Sequence, residues 1–422
     1  MKKTTCDVII IGTGMSGMAA ALFAACRGLD TVLVGQTGEL GFASGLLDLL
    51  GVHPVNGGAV LADPWQGIAA LRQDAPHHPY AHMQIADIRE AFRVVLDFLK
   101  AGGYPYTAIP CRNQTVLTPV GTLKTTYAVP HTMVHGPAAL ANRTPCLLVD
   151  FEALKGYSAH QISASLAVRW PGLRPVRIRF PGARAELFTE YLARALDAAP
   201  VREKLVAAVR PHLGNAGAVG LPAVLGMYRT VAAMADLQRG LGVPVFEIPT
   251  MLPAVGGLRL WELFALRLPE LGIRSFFQQQ ARSAQRLPDG CWRFVVAGNA
   301  GEHSITARSV VVCTGRFFGK GLHADRQGIR ETLFGLPVVQ PPHRAKWHHK
   351  DLLHPDGHPI NRAGVAVDAD FRPLDGQGHP VFSNLFAAGA ILAHQDWVRQ
   401  KCGSGLAIAT AYGAVRACAA VQ

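Results

Sequence analysis

The chain has 422 residues, of which 49% are hydrophobic and 17% charged, and its formal net charge is +12. This length is sufficient for two domains with packed cores. The basic residues are dispersed and no nucleic-acid-binding module is visible, so the charge does not indicate a nucleic acid as partner. Eight cysteines are scattered without a Cys-x-x-Cys pair. This pattern excludes cysteine-held iron–sulfur and zinc sites and is typical of a reducing compartment.

The N-terminal segment carries the first motif. An apolar strand at residues 7–11 leads into Gly12-Thr-Gly14-Met-Ser-Gly17 and an Ala-rich helix, and a second apolar strand follows at residues 31–34. Glycines at this spacing allow a tight turn, close approach of the backbone to a pyrophosphate, and packing of the helix on the strand. Free amides and the helix dipole then stabilise the phosphates. The segment predicts a nucleotide-binding loop.

Two observations qualify this prediction. Lys2 and Lys3 precede a long uncharged stretch that could belong to a secretory signal, but Asp7 and the loop glycines disfavour that interpretation. The acidic residue that usually ends the second strand and binds the adenosine ribose is replaced by Gly35 and Gln36. Glu39 lies beyond the strand. We therefore expect phosphate binding and leave open how, or whether, an adenosine is held.

The middle of the chain, residues 51–245, alternates helical patterns with Pro/Gly-rich connections and predicts an inserted domain. One helix is expected at residues 228–240, with Gly240 as its cap. Residues 169–180 are the most basic stretch, and their alternation predicts a half-buried strand. Its arginines form either a solvated strand face or a docking surface for an acidic partner or an anionic membrane.

The C-terminal part contains two further glycine-bearing segments. A strand ends at Cys313-Thr314-Gly315, and another leads through Gly389 towards Gly403-Ser404-Gly405, which opens a small-residue helix. A helix N-terminus placed there would stabilise negative charge on a reduced flavin. Together the segments predict an α/β fold: a Rossmann-like FAD/NAD(P)-binding domain with a parallel sheet, built from residues 1–50 and 246–422, with residues 51–245 as an inserted α+β domain.

Further segments resemble the B-subunit family of the anaerobic glycerol-3-phosphate dehydrogenases over essentially the full length. They are residues 43–50, 119–124, 221–226 and 247–260, together with the Gly389 and Gly403 segments. The resemblance implies flavin-dependent oxidation of sn-glycerol 3-phosphate to dihydroxyacetone phosphate, with FMN as the cofactor of this subunit, although the fold alone would suggest FAD.

The resemblance also implies a complex with a flavin-bearing A subunit and a membrane-associated iron–sulfur C subunit. Electrons would pass to a quinone pool for fumarate or nitrate respiration. The expected location is cytoplasmic, at the inner face of the membrane through a partner subunit.

The candidate site residues follow from these motifs. The flavin-binding residues are expected to be Gly12, Gly14, Gly17, Ser44, Gly45, Thr314, Gly315, Gly389, Gly403, Ser404 and Gly405. Alcohol oxidation needs a base and cations that hold the substrate phosphate. The candidate bases are His131 and His394, and the candidate cations are Lys124, Arg259, Arg399 and Lys401. The histidine-rich residues 343–358 lack Cys or carboxylate ligands at helical spacing, so we expect no metal site.

The sequence leaves more than one function open. The flavin of this subunit either meets the substrate directly or relays electrons from the A subunit without a substrate site of its own. A third interpretation is a stand-alone soluble FAD-dependent dehydrogenase or oxidase.

Overall fold

The computed structural model describes residues 2–36, 39–182, 186–299 and 301–422. The strands are β1 (Lys2–Ile11), β2 (Thr31–Gly35), β3 (Tyr106–Ala108), β4 (Gln114–Leu117), β5 (Leu123–Thr126), β6 (Ala128–Pro130), β7 (Cys146–Phe151), β8 (Leu173–Ile178), β9 (Ala218–Pro222), β10 (Val245–Ile248), β11 (Arg274–Phe277), β12 (Gln279–Arg286), β13 (Trp292–Gly298), β14 (Gly301–Val312), β15 (Leu322–Ala324), β16 (Ile329–Glu331) and β17 (Leu385–Ala387). The helices are α1 (Met15–Ala25), α2 (Pro64–Asp74), α3 (Ile85–Ala101), α4 (His135–Ala141), α5 (Ala159–Leu166), α6 (Thr189–Ala195), α7 (Ala199–Val209), α8 (Thr230–Leu241), α9 (Val255–Arg267), α10 (Trp397–Gln400) and α11 (Gly403–Ala420). The predicted α/β class with parallel sheets is confirmed.

The chain divides into two compact units. Unit 1 comprises Met1–Leu40, Asp48–Val95 and Phe264–Gln422, and unit 2 comprises Gly41–Leu47 and Leu96–Leu263. These bounds differ from the expected insertion at residues 51–245. Two of the boundaries fall inside the continuous helices α3 and α9, where no Pro/Gly-rich connection marks the change.

Unit 1 is built on a sheet in the order β11-β2-β1-β14-β13-β12, and β17 also pairs with β14. The strands β11, β2, β1, β14 and β17 pair in parallel, whereas β12, β13 and the first half of β14 form an antiparallel meander. Residues 8–11, 32–34 and 310–312 are almost fully buried, as expected for parallel strands covered on both faces. The two chain ends therefore meet in one sheet.

Two small-residue helices, α1 and α11, pack against each other in unit 1. The rings of Phe23 and Tyr412 meet edge to face at 5.2 Å, and the Arg27 guanidinium lies 4.7 Å from the Tyr412 ring centre. Alanine and glycine dominate both helices, which allows their backbones to lie close together. This packing holds both ends of the chain against the same region of unit 1.

A buried histidine fixes residues 78–80 to the C-terminal part of unit 1. The Nδ1 atom of His78 accepts a hydrogen bond from the Tyr80 backbone N–H at 3.1 Å, so Nε2–H donates to Gln400 Oε1 at 3.3 Å. The Tyr80 hydroxyl donates to Leu49 O at 2.8 Å. Burial lowers the pKa of His78 to about 3, so the ring is neutral at physiological pH.

Unit 2 contains a second parallel sheet, in the order β10-β9-β7-β8. Helices connect these strands, which gives the doubly wound arrangement found in many nucleotide-binding proteins. Its core includes Leu147, Leu148, Val219 and Phe246, each at most 1% exposed. The predicted basic strand is the edge strand β8, where Pro175 is tolerated because it pairs on one side only.

The chain supplies its own anions at two helix starts of this second sheet. The Asp197 carboxylate accepts hydrogen bonds from the backbone N–H groups of Met227, Tyr228 and Arg229, at 2.9–3.1 Å, just before α8. Asp150, at the end of β7, accepts from Ala159 N–H at the first turn of α5. These are the places where a doubly wound sheet would bind phosphates.

Helix α8 ends differently from the expectation. Gly242, in the left-handed conformation at φ +74°, follows its last residue and takes the cap position expected for Gly240. Gly240 lies within the helix, where a Cβ atom would come within 2.7 Å of the Val206 methyl groups. Its role is therefore close packing on α7. Among the described helices, none is both long and apolar enough to cross a membrane.

Replacing Asp197 should destabilise the chain and create an anion requirement. Asp197→Ala leaves three backbone N–H groups without their acceptor, at an expected cost of about 1–2 kcal/mol in the free energy of unfolding. Asp197→Asn, which keeps one acceptor oxygen, should lose less. Urea unfolding with and without sulfate should show that sulfate restores stability to the alanine variant more than to the wild type. Equal sulfate effects would contradict this role.

Acid should destabilise the wild type more than a His78→Gln variant. Because the pKa of folded His78 is about 3, below its usual 6.5, only the unfolded chain takes up this proton as the pH falls below about 6.5. The resulting loss of stability reaches about 2 kcal/mol at pH 5. Urea unfolding at pH 7.5 and pH 5 should therefore show a smaller difference in the variant. The exposed His379→Gln control should behave like the wild type.

Candidate functional site

The loop between β1 and α1 is shaped by glycines that touch neighbouring backbone. Gly12 has φ +121°, and a Cβ atom on it would lie 2.1 Å from Cys313 O at the end of β14. A Cβ atom on Gly17 would lie 1.7 Å from Gly12 O. No side chain fits at either position. These two glycines therefore allow the loop to pack closely against the end of β14 and the start of α1.

Gly14 serves a different purpose. A Cβ atom there would meet nothing within 4 Å, and Gly14 is the N-cap of α1. No side chain caps this helix start, and its first turn has no acidic residue. Uncapped N–H groups beside open space are what the phosphates of a flavin nucleotide require. The residues present therefore fit such a group, and the amides of this turn would hold it.

The end of β2 has no room for the usual carboxylate. A Cβ atom on Gly35 would lie 2.7 Å from the Thr13 Oγ1 and Cγ2 atoms and 2.8 Å from its backbone nitrogen. The Thr13 hydroxyl donates to Gln36 O, and Thr13 is only 3% exposed. Thr13 thus fills the place next to β2 from which an acidic side chain would start. The side chain of Glu39 lies outside the described residues.

The end of β14 brings Thr314 and Gly315 next to this loop. The Thr314 Oγ1 atom is buried and has no hydrogen-bond partner among the described residues. Gly315 has φ +68°, and a Cβ atom on Gly321 would lie 2.2 Å from Gly315 O. A buried, unpaired hydroxyl beside the glycine loop suits a ligand that supplies a partner.

Arg316, which sequence reasoning missed, ties this region together. Its guanidinium donates to Ala390 O at 2.9 Å, to Gln395 O at 3.2 Å and to Asn361 O. Burial lowers its pKa to about 10, and Asp396 partly offsets this effect, so it stays protonated at physiological pH. In the sequence, the position of Arg316 directly after Gly315 was the only sign that it belongs to this site.

Gly389 comes close to the start of α1. It has φ +82°, and a Cβ atom on it would lie 2.4 Å from Ser16 Oγ. Its backbone N–H donates to Thr410 Oγ1 in α11 at 2.8 Å. The structure therefore brings together the segments of Gly12, Gly17 and Gly389, although they are far apart in the sequence.

The segment of Gly403, Ser404 and Gly405 forms the first turn of α11, and no side chain caps it. The Ser404 hydroxyl is used locally: it accepts from Asp48 N–H at 2.7 Å and donates to Asp48 O at 3.2 Å. A Cβ atom on Gly405 would lie 2.6 Å from Asp48 O and from the Tyr80 hydroxyl. These residues anchor the start of residues 48–95 on α11.

Ser44 and Gly45 belong to unit 2. Gly45 has φ +84°, and a Cβ atom on it would lie 2.8 Å from Gly256 Cα. Its carbonyl accepts a hydrogen bond from the Tyr106 hydroxyl at 2.7 Å, and the Ser44 hydroxyl accepts from Leu46 N–H. Within unit 2 the two residues form a tight crossing of backbones.

The predicted role of Arg259 in holding a phosphate is not supported. It is 2% exposed, and its guanidinium donates to both Glu247 carboxylate oxygens at 2.7 and 2.8 Å and to Gly226 O at 2.8 Å. Burial alone would lower the pKa of Arg259, but Glu247 and Tyr104 raise it, so the buried pair stays charged. Glu247 neutralises the charge of Arg259, and the hydrogen bonds of Arg259 join β10 to the loop after β9.

The remaining candidates of unit 2 are accessible. Lys124 lies half-buried on β5, paired with Val116 of β4. His131 follows β6, its backbone N–H donates to Pro105 O, and burial lowers the pKa of its half-buried ring. Neutral at physiological pH, His131 has the protonation state of a base.

Arg399 and Lys401 lie around α10 in unit 1. The guanidinium of Arg399 donates to the backbone carbonyls of His354 and Pro355, which holds the histidine-rich loop. Lys401 has φ +50° and is half-buried, and a Cβ atom on Gly51 would lie 2.8 Å from its Cβ. Arg399 is thus engaged by its own chain through both terminal nitrogens.

The histidine-rich loop contacts itself. The rings of His349 and His354 stack at 3.8 Å, and His358 accepts from His349 N–H while its Nε2 atom meets Leu352 O at 3.0 Å. In the described parts of the chain, no group of three or more His, Cys, Asp or Glu side chains is arranged to hold a metal ion.

His394, the second candidate base, lies half-buried near two further histidines. Its ring centre is 5.5 Å from that of His77. Burial lowers the pKa of His394, and the charges of His77 and His82 lower it further. Residues 77–82 belong to a part of the sequence that carries no recognisable motif, so no sequence pattern pointed to this cluster.

Comparison with known proteins agrees with the loop geometry. Residues 7–406 match the family described as FAD binding domain. A Vibrio vulnificus protein, named as the B subunit of anaerobic glycerol-3-phosphate dehydrogenase, is 30% identical, over 97% of this chain and 95% of its own. A Halobacterium salinarum protein, named as the probable B subunit of the same enzyme, is 33% identical, over 98% and 97%.

Among solved structures, the 3-ketosteroid Δ1-dehydrogenase of Sterolibacterium denitrificans aligns at a TM-score of 0.44 and 12% identity, over 99% of this chain and 100% of that one. The family assignment comes from the sequence relatives, which match along almost the whole chain. This chain is a flavoprotein of the FAD-binding-domain type, and it belongs to the B-subunit family of the anaerobic glycerol-3-phosphate dehydrogenases.

Proposed function

We propose that this chain is a flavin-carrying subunit that oxidises sn-glycerol 3-phosphate to dihydroxyacetone phosphate. The observation that carries the proposal is the uncapped, glycine-shaped start of α1, in a chain that matches B-subunit relatives along 97% of its length. When bound, the flavin accepts the two electrons and the hydrogen that leave the alcohol carbon.

The protein must then take the hydroxyl proton. His394 is the favoured base, because it is half-buried, its lowered pKa leaves it neutral at physiological pH, and it follows the Gly389 segment beside α1. His131 is the second candidate. In unit 1, Lys401 is the candidate for the substrate phosphate rather than Arg399, which is bonded to two carbonyl groups. In unit 2, the candidate is Lys124, since Glu247 neutralises Arg259.

We propose FMN as the cofactor. Thr13 occupies the place from which a ribose-binding carboxylate would start, and Gly35 cannot carry one without displacing Thr13. An adenosine half would therefore contribute little binding energy at this end of the sheet. FAD remains the alternative that the description of the matched family names.

We propose that the chain works in a complex, since its relatives are named as a subunit. The described residues provide no cysteine cluster for a metal relay. A flavin-bearing A subunit and a membrane-associated iron–sulfur C subunit would supply the path to a quinone pool. This chain would then lie on the cytoplasmic side and reach the membrane through a partner subunit.

Glycerol 3-phosphate should bleach the flavin of the isolated chain under anaerobic conditions. His394→Gln should slow this reduction by about 100-fold or more, since general base catalysis typically contributes 10²–10⁴-fold. Stopped-flow absorbance measures the rate, and the exposed His379→Gln variant is the control. Bleaching that requires the A subunit would instead make this chain an electron relay without its own substrate site.

The wild-type chain should bind FMN and FAD with dissociation constants within about threefold of each other, because the ribose carboxylate is missing. Gly35→Ala should weaken both, since its Cβ atom collides with Thr13. Flavin fluorescence quenching measures both constants. The matched control is Glu39→Gln, which should leave both dissociation constants unchanged. A selective loss of FAD affinity in this variant would show that Glu39 replaces the missing carboxylate.

A further inference from the structure

Three histidines of unit 1 lie together at the edge of the candidate site. His394 is half-buried, its ring centre is 5.5 Å from that of His77, and His77 is exposed to solvent. His82, from the same segment as His77, is half-buried and contacts the Phe371 ring edge to face at 6.3 Å. A half-buried imidazole that follows the Gly389 segment therefore lies beside an exposed one.

The backbone fixes where the His394 ring lies. His394 has φ +63°, a conformation that is costly for a side chain with a Cβ atom, and its N–H donates to Arg362 O at 3.0 Å. Arg316 donates to Ala390 O, before His394 in the sequence, and to Gln395 O, directly after it. The ring is thus held in place by the same residues that hold the Gly389 segment.

The other described histidines near this pair are less exposed than His77. His78 has both ring nitrogens in hydrogen bonds, to Tyr80 N–H and to Gln400, and is buried. Burial lowers the pKa of His82, and the nearby Asp368 offsets part of this effect. Of these described histidines, His77 alone is both beside His394 and exposed.

We propose that His77 is a proton-transfer residue that acts through His394, passing to bulk water the proton that His394 takes from the substrate. This inference rests on the proposed function, in which His394 is the base. At a centroid separation of 5.5 Å the two rings are close enough for one water molecule to bridge them.

The reductive half-reaction balances with the substrate, the bound flavin and water, and an electron acceptor must reoxidise the flavin before the next turnover. The bound flavin would accept the hydrogen of the alcohol carbon as a hydride, which carries both electrons, and the hydroxyl proton would pass to a ring nitrogen of His394. Protonated His394 then gives this proton to His77, which releases it to water. His394 is then ready to take the next proton. Without His77, His394 must lose its proton from a half-buried position, and turnover slows.

The test compares His77→Gln with wild type and His379→Gln in the full-length, flavin-loaded chain. We expect kcat in His77→Gln to fall about tenfold, with KM unchanged, and added imidazole to restore it, because a free base can replace a relay but not a structural contact. Histidine NMR titration supplies an independent readout: removal of His77 should raise the pKa of His394, whose pKa its charge lowers.

A normal kcat in His77→Gln, a loss that imidazole does not restore, or an unchanged His394 pKa would overturn the relay. The His82→Gln variant distinguishes the role of His82 from that of His77. It should also raise the pKa of His394, but added imidazole should not increase its kcat. If the wild-type chain alone does not oxidise glycerol 3-phosphate, the proposed function fails, whereas the NMR titration still reports whether the two imidazoles interact.

Discussion

The contact on which unit 1 depends is the backbone crossing between the β1–α1 loop and the end of β14. Gly12 and Gly17 leave no space for a Cβ atom against Cys313 O and Gly12 O. Because nothing larger fits, strand β1, helix α1 and strand β14 must meet at this point. The Gly389 segment then approaches Ser16 on the same helix, and α11 packs on α1. The absence of side chains at these glycines permits the close approach, and the pairing of β1 with β14 and the packing of α1 on α11 hold the two ends of the chain together.

The glycine segments and buried strands could be predicted from the sequence because their signals are local. An apolar run followed by Gly-x-Gly-x-x-Gly has few other uses, and the strands β1, β2, β14 and β17 occur where these patterns predict them. The roles of Thr13, Arg316 and His77 could not be predicted, since each depends on a partner distant in sequence: Gln36, Ala390 and His394. Two of the boundaries between the units were equally hidden, because they fall inside the helices α3 and α9.

Arginines illustrate why charge is a poor guide to a binding site. Arg259 has its partner Glu247 only twelve residues away, yet on a separate element, and burial of both makes the pair structural. Arg177 of the basic strand bonds the buried Asp150, Arg174 bonds the carbonyls of His212 and Leu213, and Arg399 bonds two carbonyls of the histidine-rich loop. Much of the positive charge is therefore used to join segments of the chain, and a high net charge does not imply an equally basic surface for ligands.

Two helix starts of unit 2 differ from those of α1 and α11 in unit 1 in how their backbone N–H groups are satisfied. Asp197 and Asp150 provide the negative charge that the amides before α8 and at α5 require. No side chain does so at the starts of α1 and α11 in unit 1. The amides at these two helix starts of unit 2 are therefore satisfied by the chain itself, whereas no side chain satisfies those at the starts of α1 and α11. A flavin phosphate bound there would add its binding energy to the stability of unit 1.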